Sequence, residues 1–154
     1  MTLSSRMYLL PMPALQVSVD GGDDNDYFYG DAGSDYLVGG AGNDTLMGSN
    51  FSDNGSGQFD TLVGGSGADR FDLGSEYSGH YYLGDGYALI ADFKNYEGDK
   101  LIMKGSTLYS GGAANYGVGT AALDTGIYLN GDLIAVLQDV SGSGYIMSQD
   151  TLWY

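Results

Sequence analysis

The sequence predicts an all-β protein whose main part is a short right-handed parallel β-helix of nonapeptide repeats. Glycine-rich units of nine residues recur in phase through the first half of the chain, and such a period is typical of solenoids. The 27 glycines among 154 residues disfavour helix nearly everywhere. From residue 87 onward, short apolar runs alternate with turn residues, which indicates a region of antiparallel strands that caps the β-helix.

The most regular unit is residues 39–47, which read Gly-Gly-Ala-Gly-Asn-Asp-Thr-Leu-Met. They match the pattern G-G-x-G-x-D-x-U-x, where U is a large aliphatic residue. Residues 64–72 are a second intact copy, with Phe71 in the apolar place. Three further units keep the aspartate and the apolar residue but lose one or two glycines: residues 21–29, 30–38 and 55–63. Residues 48–54 are then an insertion, expected to leave the solenoid as a loop.

Each position of this unit has a physical reason. Glycine permits backbone conformations with positive φ that a Cβ would forbid, and the turn then directs carbonyl oxygens inward. The aspartate adds a carboxylate, so two stacked turns enclose a hard cation such as Ca²⁺ in oxygen ligands. The closing residues form a short strand whose large side chain points into the core. The expected core positions are Phe28, Leu37, Leu46, Leu62 and Phe71.

Residues 21–72 resemble an RTX, or hemolysin-type, calcium-binding repeat array. Residues 87–93 and 98–102 are similar to the segment that follows such repeats in RTX proteins, and the likeness is greatest to cyanobacterial-type members. The resemblance implies a β-roll in which each coil takes two units, with Ca²⁺ as the cofactor. It also implies stacked pairs of aspartates: Asp26 with Asp44, Asp35 with Asp60, and Asp44 with Asp69.

The resemblance implies two kinds of metal ligand. The carboxylate ligands are Asp26, Asp35, Asp44, Asp60, Asp69 and Asp85. The glycines that act through backbone carbonyls or turn geometry are Gly21, Gly30, Gly39, Gly40, Gly42, Gly64, Gly65 and Gly67. Asp85 is expected to close a site under Asp60, with Asp92 as a further candidate. The alternative is that these aspartates only form Asx-turns.

We predict a single continuous domain in three parts. Residues 1–20 are either a strand that caps the solenoid or an arm that pairs with another subunit. Residues 21–86 form the β-roll with its insertion, and residues 87–154 form the C-terminal β cap.

Within the cap, the residue patterns predict individual elements. Asn130-Gly131 suits the type I′ turn of a hairpin, whereas the Gly- and Ala-rich residues 105–123 read as a loop. A strand is expected at residues 145–148. The acid-then-apolar end, residues 150–154, resembles a type I secretion signal and also fits a final edge strand.

Composition excludes several classes of function. The net charge is -15 with only 5 Lys and Arg, so no basic surface exists for nucleic acid or anionic membranes. No apolar run is long enough to cross a bilayer. All acidic residues except Glu76 and Glu97 are Asp, which suits turns and short-armed metal coordination. His80 is the only histidine, so a catalytic triad or a histidine metal site would lack partners, and we expect no catalytic residues.

Two functions follow as expectations. The first is a secreted, non-enzymatic protein that folds on binding Ca²⁺, has a structural role and self-associates, for example into an extracellular fibre or surface layer. The second is the C-terminal secretion and folding module of a larger RTX exoenzyme, such as a protease or lipase. In both, the resemblance implies an extracellular or cell-surface location reached by type I secretion.

Overall fold

The computed structural model describes residues 16–49, 55–75, 79–104, 109–120, 122–140 and 151–153. The expected N-terminal arm up to residue 15, most of the insertion and the expected strand at residues 145–148 lie outside these residues. Within the described part of the chain, every regular element is a β-strand. The predicted all-β class is therefore confirmed.

The strands, in chain order, are β1 Ser18–Asp20, β2 Tyr27–Tyr29, β3 Tyr36–Ala41, β4 Thr45–Met47, β5 Phe59–Ser66, β6 Arg70–Asp72, β7 Gly74–Ser75, β8 Gly79–His80, β9 Tyr87–Ile90, β10 Lys100–Met103, β11 Tyr109–Ala114, β12 Asp124–Leu129, β13 Asp132–Leu137 and β14 Thr151–Trp153. Up to β6, successive strands alternate between two parallel sheets. One sheet has the order β1-β3-β5-β9-β13-β12-β11 and the other β14-β10-β6-β4-β2. This alternation is the coil of a parallel β-helix, as predicted.

Within the repeats, the core is built on the apolar residue of each unit. Phe28 pairs in register with Leu46, and Leu46 with Phe71. On the other sheet Leu37 pairs with Leu62. All five side chains are at most 5% exposed, so the large side chain at this place in each unit stacks on its counterpart one coil away. The hydrophobic effect therefore fixes the register of the coils, because a one-residue slip would turn every one of these side chains outward.

The C-terminal part changes from parallel to antiparallel pairing. β11, β12 and β13 pair antiparallel, and β13 joins the long sheet by parallel pairing with β9. The turn between β12 and β13 contains Asn130 and Gly131 at φ 55 and 89, as the type I′ turn requires. The expected loop at residues 105–123 is wrong in part, because β11 lies within it. Pairing with β12 stabilises β11 although its own sequence is rich in glycine and alanine.

Candidate metal centre

The turns between the two sheets stack into two columns. The first ladder contains the turns that lead from the long sheet to the short one, at residues 21–26, 39–44, 64–69 and 91–99. The second ladder contains the turns that lead back, at residues 30–35, 48–58 and 73–86, of which 50–54 and 76–78 lie outside the described part. Each intact nonapeptide contributes its glycines and its aspartate to one of these turns.

The aspartates of each ladder are connected by hydrogen bonds to Oδ1. In the first ladder, the Asp26 N–H donates to Asp44 Oδ1 at 2.8 Å and the Asp44 N–H donates to Asp69 Oδ1 at 2.9 Å. In the second ladder, the Asp35 N–H donates to Asp60 Oδ1 at 2.7 Å. The structure thus stacks each of the three aspartate pairs that the resemblance implies.

The other carboxylate oxygen is unpaired in three of these residues. Oδ2 of Asp35, Asp44 and Asp69 is buried and accepts no hydrogen bond, and these residues are 2%, 0% and 0% exposed. A buried carboxylate oxygen without a partner is costly. Burial accordingly raises the pKa of Asp44 and Asp69, and raises that of Asp35 to about 6.

The first glycine of each unit packs so closely against this oxygen that no Cβ fits between them. A Cβ at Gly39 would lie under 3.0 Å from Asp44 Oδ2 and from the carbonyl oxygen of Gly64 in the next coil. The same holds at Gly30 for Asp35 Oδ2 and the Gly48 carbonyl oxygen. A carboxylate oxygen and a carbonyl oxygen of the following coil therefore approach the same glycine, and oxygens of these two kinds are the ligands that Ca²⁺ prefers.

Gly21 and Gly64 repeat this arrangement in part. A Cβ at Gly21 would meet Asp26 Oδ2 and the Gly39 carbonyl oxygen, and one at Gly64 would meet Asp69 Oδ2, all under 3.0 Å. No residue with a Cβ would leave the carboxylate oxygen room. The first glycine of these units is therefore required by the site itself.

The second and fourth glycines are required for a different reason. Gly65 and Gly67 have φ 97 and 129, a region that L side chains rarely adopt. A Cβ on either would also lie under 3.0 Å from a carbonyl oxygen of the preceding coil, that of Gly40 or Gly42. The turn carbonyls thus point along the ladder towards the next coil. At the imperfect turns, Asp24 and Asp31 take the glycine conformation at φ 83 and 73, which aspartate tolerates better than most residues.

Side chains alone do not form a metal centre here. Among the described residues, no three His, Cys, Asp or Glu side chains converge as a metal-binding group. Each turn contributes one aspartate to the stacked column, and backbone carbonyls would have to complete each coordination shell. The donor set fits Ca²⁺, which accepts backbone carbonyls readily.

The last turn of the first ladder is residues 91–99. Its side chains form hydrogen bonds with the backbone N–H groups and a carbonyl oxygen of the preceding turn. Asp92 accepts hydrogen bonds from the N–H groups of Gly64 and Gly65 at 2.7 and 2.8 Å. The Lys94 ammonium donates to the Gly65 carbonyl oxygen and forms an ion pair with Asp92 at 3.2 Å. Glu97 accepts from the Gly67 N–H at 3.1 Å. The candidate Asp92 therefore binds backbone N–H groups and a lysine.

Asp99 is the site residue that the sequence prediction missed. The Asp69 N–H donates to Asp99 Oδ1 at 2.9 Å, so Asp99 continues the aspartate column, and its Oδ2 accepts from the Lys94 N–H at 2.7 Å. Burial raises the pKa of Asp99 to about 6. The signal was present in Asp99-Lys100-Leu101, which repeats the D-x-U half of the nonapeptide without its glycines.

The structure does not bring Asp85 beneath Asp60. Ala88 pairs in register with Asp60, and Asp85 is exposed. Asp60 Oδ2 instead accepts a hydrogen bond from the Tyr82 hydroxyl at 2.6 Å. The expected site between Asp60 and Asp85 therefore has no counterpart in this arrangement.

Comparison with known proteins agrees with the ladder geometry. Residues 20–54 and 54–76 match the RTX calcium-binding nonapeptide repeat in four copies. A search of curated proteins found no match. The solution structure of the AlgE6R3 subunit of the mannuronan C5-epimerase from Azotobacter vinelandii is similar in fold, with a TM-score of 0.58, 21% identity, and coverage of 90% of this chain and 78% of that one.

The fold is a β-roll, and its turns bring together oxygens of the kind that bind calcium. The repeats at residues 20–76 match the RTX calcium-binding nonapeptide. The narrower likeness to cyanobacterial-type members stays a prediction. In the described part of the chain, no helix is long and apolar enough to span a membrane.

Proposed function

We propose that this chain is a secreted, non-enzymatic protein that folds when Ca²⁺ enters the two ladders. The observation that carries the proposal is the unpaired, buried Oδ2 of Asp35, Asp44 and Asp69. The first glycine of each of their units packs directly against that oxygen, with no side chain between them. In this proposal a calcium ion lies beside each of these oxygens, and the carbonyl oxygens of the turn complete its coordination.

The charge of the chain makes calcium a condition of folding. At a net charge of -15, mutual repulsion opposes the compact state, and the ladders place carboxylates one coil apart. Extracellular calcium modules have dissociation constants of about 10⁻⁴ to 10⁻³ M. At a tenfold excess over that value, each site contributes about 1.4 kcal/mol by mass action. Several such sites are comparable with the whole stability of a small domain, about 5 to 15 kcal/mol.

Secretion is part of the proposal because the expected calcium affinity lies between the free calcium concentrations inside and outside a cell. A chain that needs near-millimolar Ca²⁺ stays unfolded where free calcium is scarce and folds where calcium is plentiful. The C-terminal residues 150–154 would supply the type I secretion signal. The final location is then extracellular or at the cell surface.

The test is calcium-dependent folding, with a matched pair of variants. We expect little β structure in chelator and strong β structure in millimolar Ca²⁺ by circular dichroism. Asp44→Asn removes a ladder carboxylate, whereas Asp85→Asn removes the same charge at an exposed position. The proposal requires that Asp44→Asn raises the calcium concentration needed for folding and that Asp85→Asn does not. Equal strand content with and without calcium would contradict it.

Self-association into a structural assembly is the second part of the proposal. Among the strands that the structure describes, β1 and β2 are the outer ones of their sheets at the first coil, and outer strands offer backbone groups for pairing with another chain. Tyr27 and Tyr36, on β2 and β3, are 45% and 46% exposed. We expect sedimentation velocity to show calcium-dependent growth in mass. A monomer at every calcium concentration would remove this part and leave the folding proposal standing.

The alternative is a folding module within a larger exoenzyme. It uses the same ladders, so calcium titration does not separate the two readings. The full length of the encoded protein does, because the module reading requires a catalytic domain on the same chain.

A further inference from the structure

The second ladder ends differently from the rest of the array. In the other units of the ladders, a Cβ on the first glycine would point at the carboxylate of its own aspartate, and at Gly30 and Gly39 it would also meet a carbonyl oxygen of the next coil. For Asp60 the place of the first glycine is taken by Gly48, which the sequence assigned to the insertion, and not by Gly55: the Gly48 carbonyl oxygen faces Gly30, and a Cβ at Gly48 would meet Asp60 Oδ2 and the Tyr82 hydroxyl oxygen, both under 3.0 Å. A phenol oxygen thus stands where a turn carbonyl stands elsewhere.

The contact between Tyr82 and Asp60 is fully enclosed. Tyr82 is 0% exposed and Asp60 is 1% exposed. The hydroxyl donates to Asp60 Oδ2 at 2.6 Å, while Asp60 Oδ1 accepts the Asp35 N–H. Both oxygens of Asp60 therefore have protein partners, whereas Oδ2 of Asp35 has none.

The backbone conformation of Tyr82 indicates that neighbouring residues fix the position of this tyrosine. Tyr82 has φ 58, an uncommon conformation for an aromatic residue that persists only where the neighbouring structure enforces it. Gly55 packs closely enough that a Cβ there would lie under 3.0 Å from the Tyr82 backbone nitrogen. Gly55 and the turn after β6 thus pack against each other beside the contact between Tyr82 and Asp60.

We propose that Tyr82 is a built-in, metal-independent end of the second ladder. Its hydroxyl donates to Asp60 Oδ2 in the place where an ion lies beside Asp35, Asp44 and Asp69, so calcium binding in this ladder stops at Asp35. The register supports the same end, because Ala88 follows Asp60 and offers no further carboxylate. This inference rests on the proposed function, since it states which aspartates of the ladders hold ions.

The first experiment counts bound calcium ions by native mass spectrometry and isothermal titration calorimetry of the full chain. Asp44→Asn and Asp69→Asn are expected to lose one ion each, whereas Asp60→Asn is expected to keep the wild-type number. Loss of an ion in Asp60→Asn alongside the other two variants would overturn the inference and leave the proposed function intact. A wild-type chain that binds no calcium would instead overturn the proposed function.

The second experiment measures the hydroxyl itself at saturating calcium. Tyr82→Phe leaves Asp60 Oδ2 without its donor, and hydrogen bonds to buried charged groups are strong. We expect the unfolding equilibrium constant to rise about tenfold or more. Tyr36→Phe removes the same atom at an exposed site and serves as the control. In an Asp60→Asn background, Tyr82→Phe should have a smaller effect, and an equal effect in both backgrounds would contradict a direct contact.

Discussion

The two ladders carry similar turns and end in chemically different ways. The first ladder ends in charged groups of its last turn, where Asp92 and Glu97 accept backbone N–H groups and Lys94 binds a carbonyl oxygen. The second ladder ends in one neutral hydroxyl on Asp60. The difference follows from what each last glycine turn leaves unsatisfied. The intact turn at residues 64–69 offers several N–H groups and a carbonyl to the last turn, whereas in the second ladder the contact is made with the carboxylate oxygen Asp60 Oδ2.

Solvent access separates the two ends as well. The side chains of Lys94 and Asp92 are 26% and 21% exposed, so water and salt screen their interaction. Tyr82 and Asp60 are enclosed. We therefore expect the first end to respond to ionic strength and the second to be insensitive to it.

The largest expected effect comes from adding a methyl group inside the first ladder. Gly65→Ala places a Cβ against the Gly40 carbonyl oxygen at φ 97, whereas Gly57→Ala, at φ 71, meets nothing within 4 Å. Both substitutions carry the positive-φ cost of about 1 to 2 kcal/mol, so their difference isolates the collision. Chemical denaturation in calcium should show Gly65→Ala losing more than about 3 kcal/mol. Equal losses would mean that the coils are not in close contact.

The next effect comes from one carboxylate oxygen. Asp44→Asn keeps an acceptor for the Asp26 N–H but replaces Oδ2 by a group that cannot bind a cation. We expect a loss of about 1 to 2 kcal/mol at saturating calcium, the contribution of one site, measured by denaturation. The loss should vanish in chelator-containing buffer at acid pH, where no ion is bound in either protein. Persistence of the full loss there would assign Asp44 a structural role alone.

Proton binding should partly replace calcium in the metal-free chain. Burial raises the folded-state pKa of Asp35 and Asp99 from 3.8 to about 6, so the folded chain binds protons that the unfolded chain releases. The stability gained is fully present below about pH 4 and is lost as the pH rises through about 6. Circular dichroism in chelator should therefore show more β structure at pH 5 than at pH 7.5. The opposite order would show that these carboxylates are not buried without calcium.

The smallest effect is expected at the charged end of the first ladder. Lys94→Met removes the ammonium group beside Asp92 and the Gly65 carbonyl oxygen. Because the pair is partly exposed, we expect a loss of about 0.5 to 1 kcal/mol in low salt, and less in high salt. Arg70→Met removes an equal charge from an exposed strand position and should change stability by less. A loss that salt leaves unchanged would indicate a packing effect of the lysine stem.

The periodicity of the sequence sufficed for the coil, the core of the repeats and the first ladder up to Asp69. The nine-residue step places Leu46, Asp44 and Gly39 without any knowledge of their neighbours, because coil contacts repeat the local pattern. It failed after the last repeat, where Asp85 was expected under Asp60 and Ala88 stands there instead. The pattern crosses the insertion because a recognisable repeat follows it, whereas no repeat follows residue 72 and the register is then fixed by strand pairing.

Contacts between distant residues account for the rest of what the sequence did not predict. Tyr82 reaches Asp60 across 22 residues, and nothing near either residue marks the contact. β11 depends on its pairing with β12. Asp99 is different, because Asp99-Lys100-Leu101 has the D-x-U pattern of a repeat. Without the repeat glycines before it, this pattern was not recognised as a site.

The direction of the Oδ1 hydrogen bonds bears on how the chain assembles. In each bond the acceptor belongs to the later coil. The Asp26 N–H donates to Asp44, the Asp44 N–H donates to Asp69, and the Asp69 N–H donates to Asp99. The hydrogen bonds of an early coil therefore cannot form until the following coil is in place. We expect the winding to start at the far side, near residue 99, and to travel back towards the beginning of the chain.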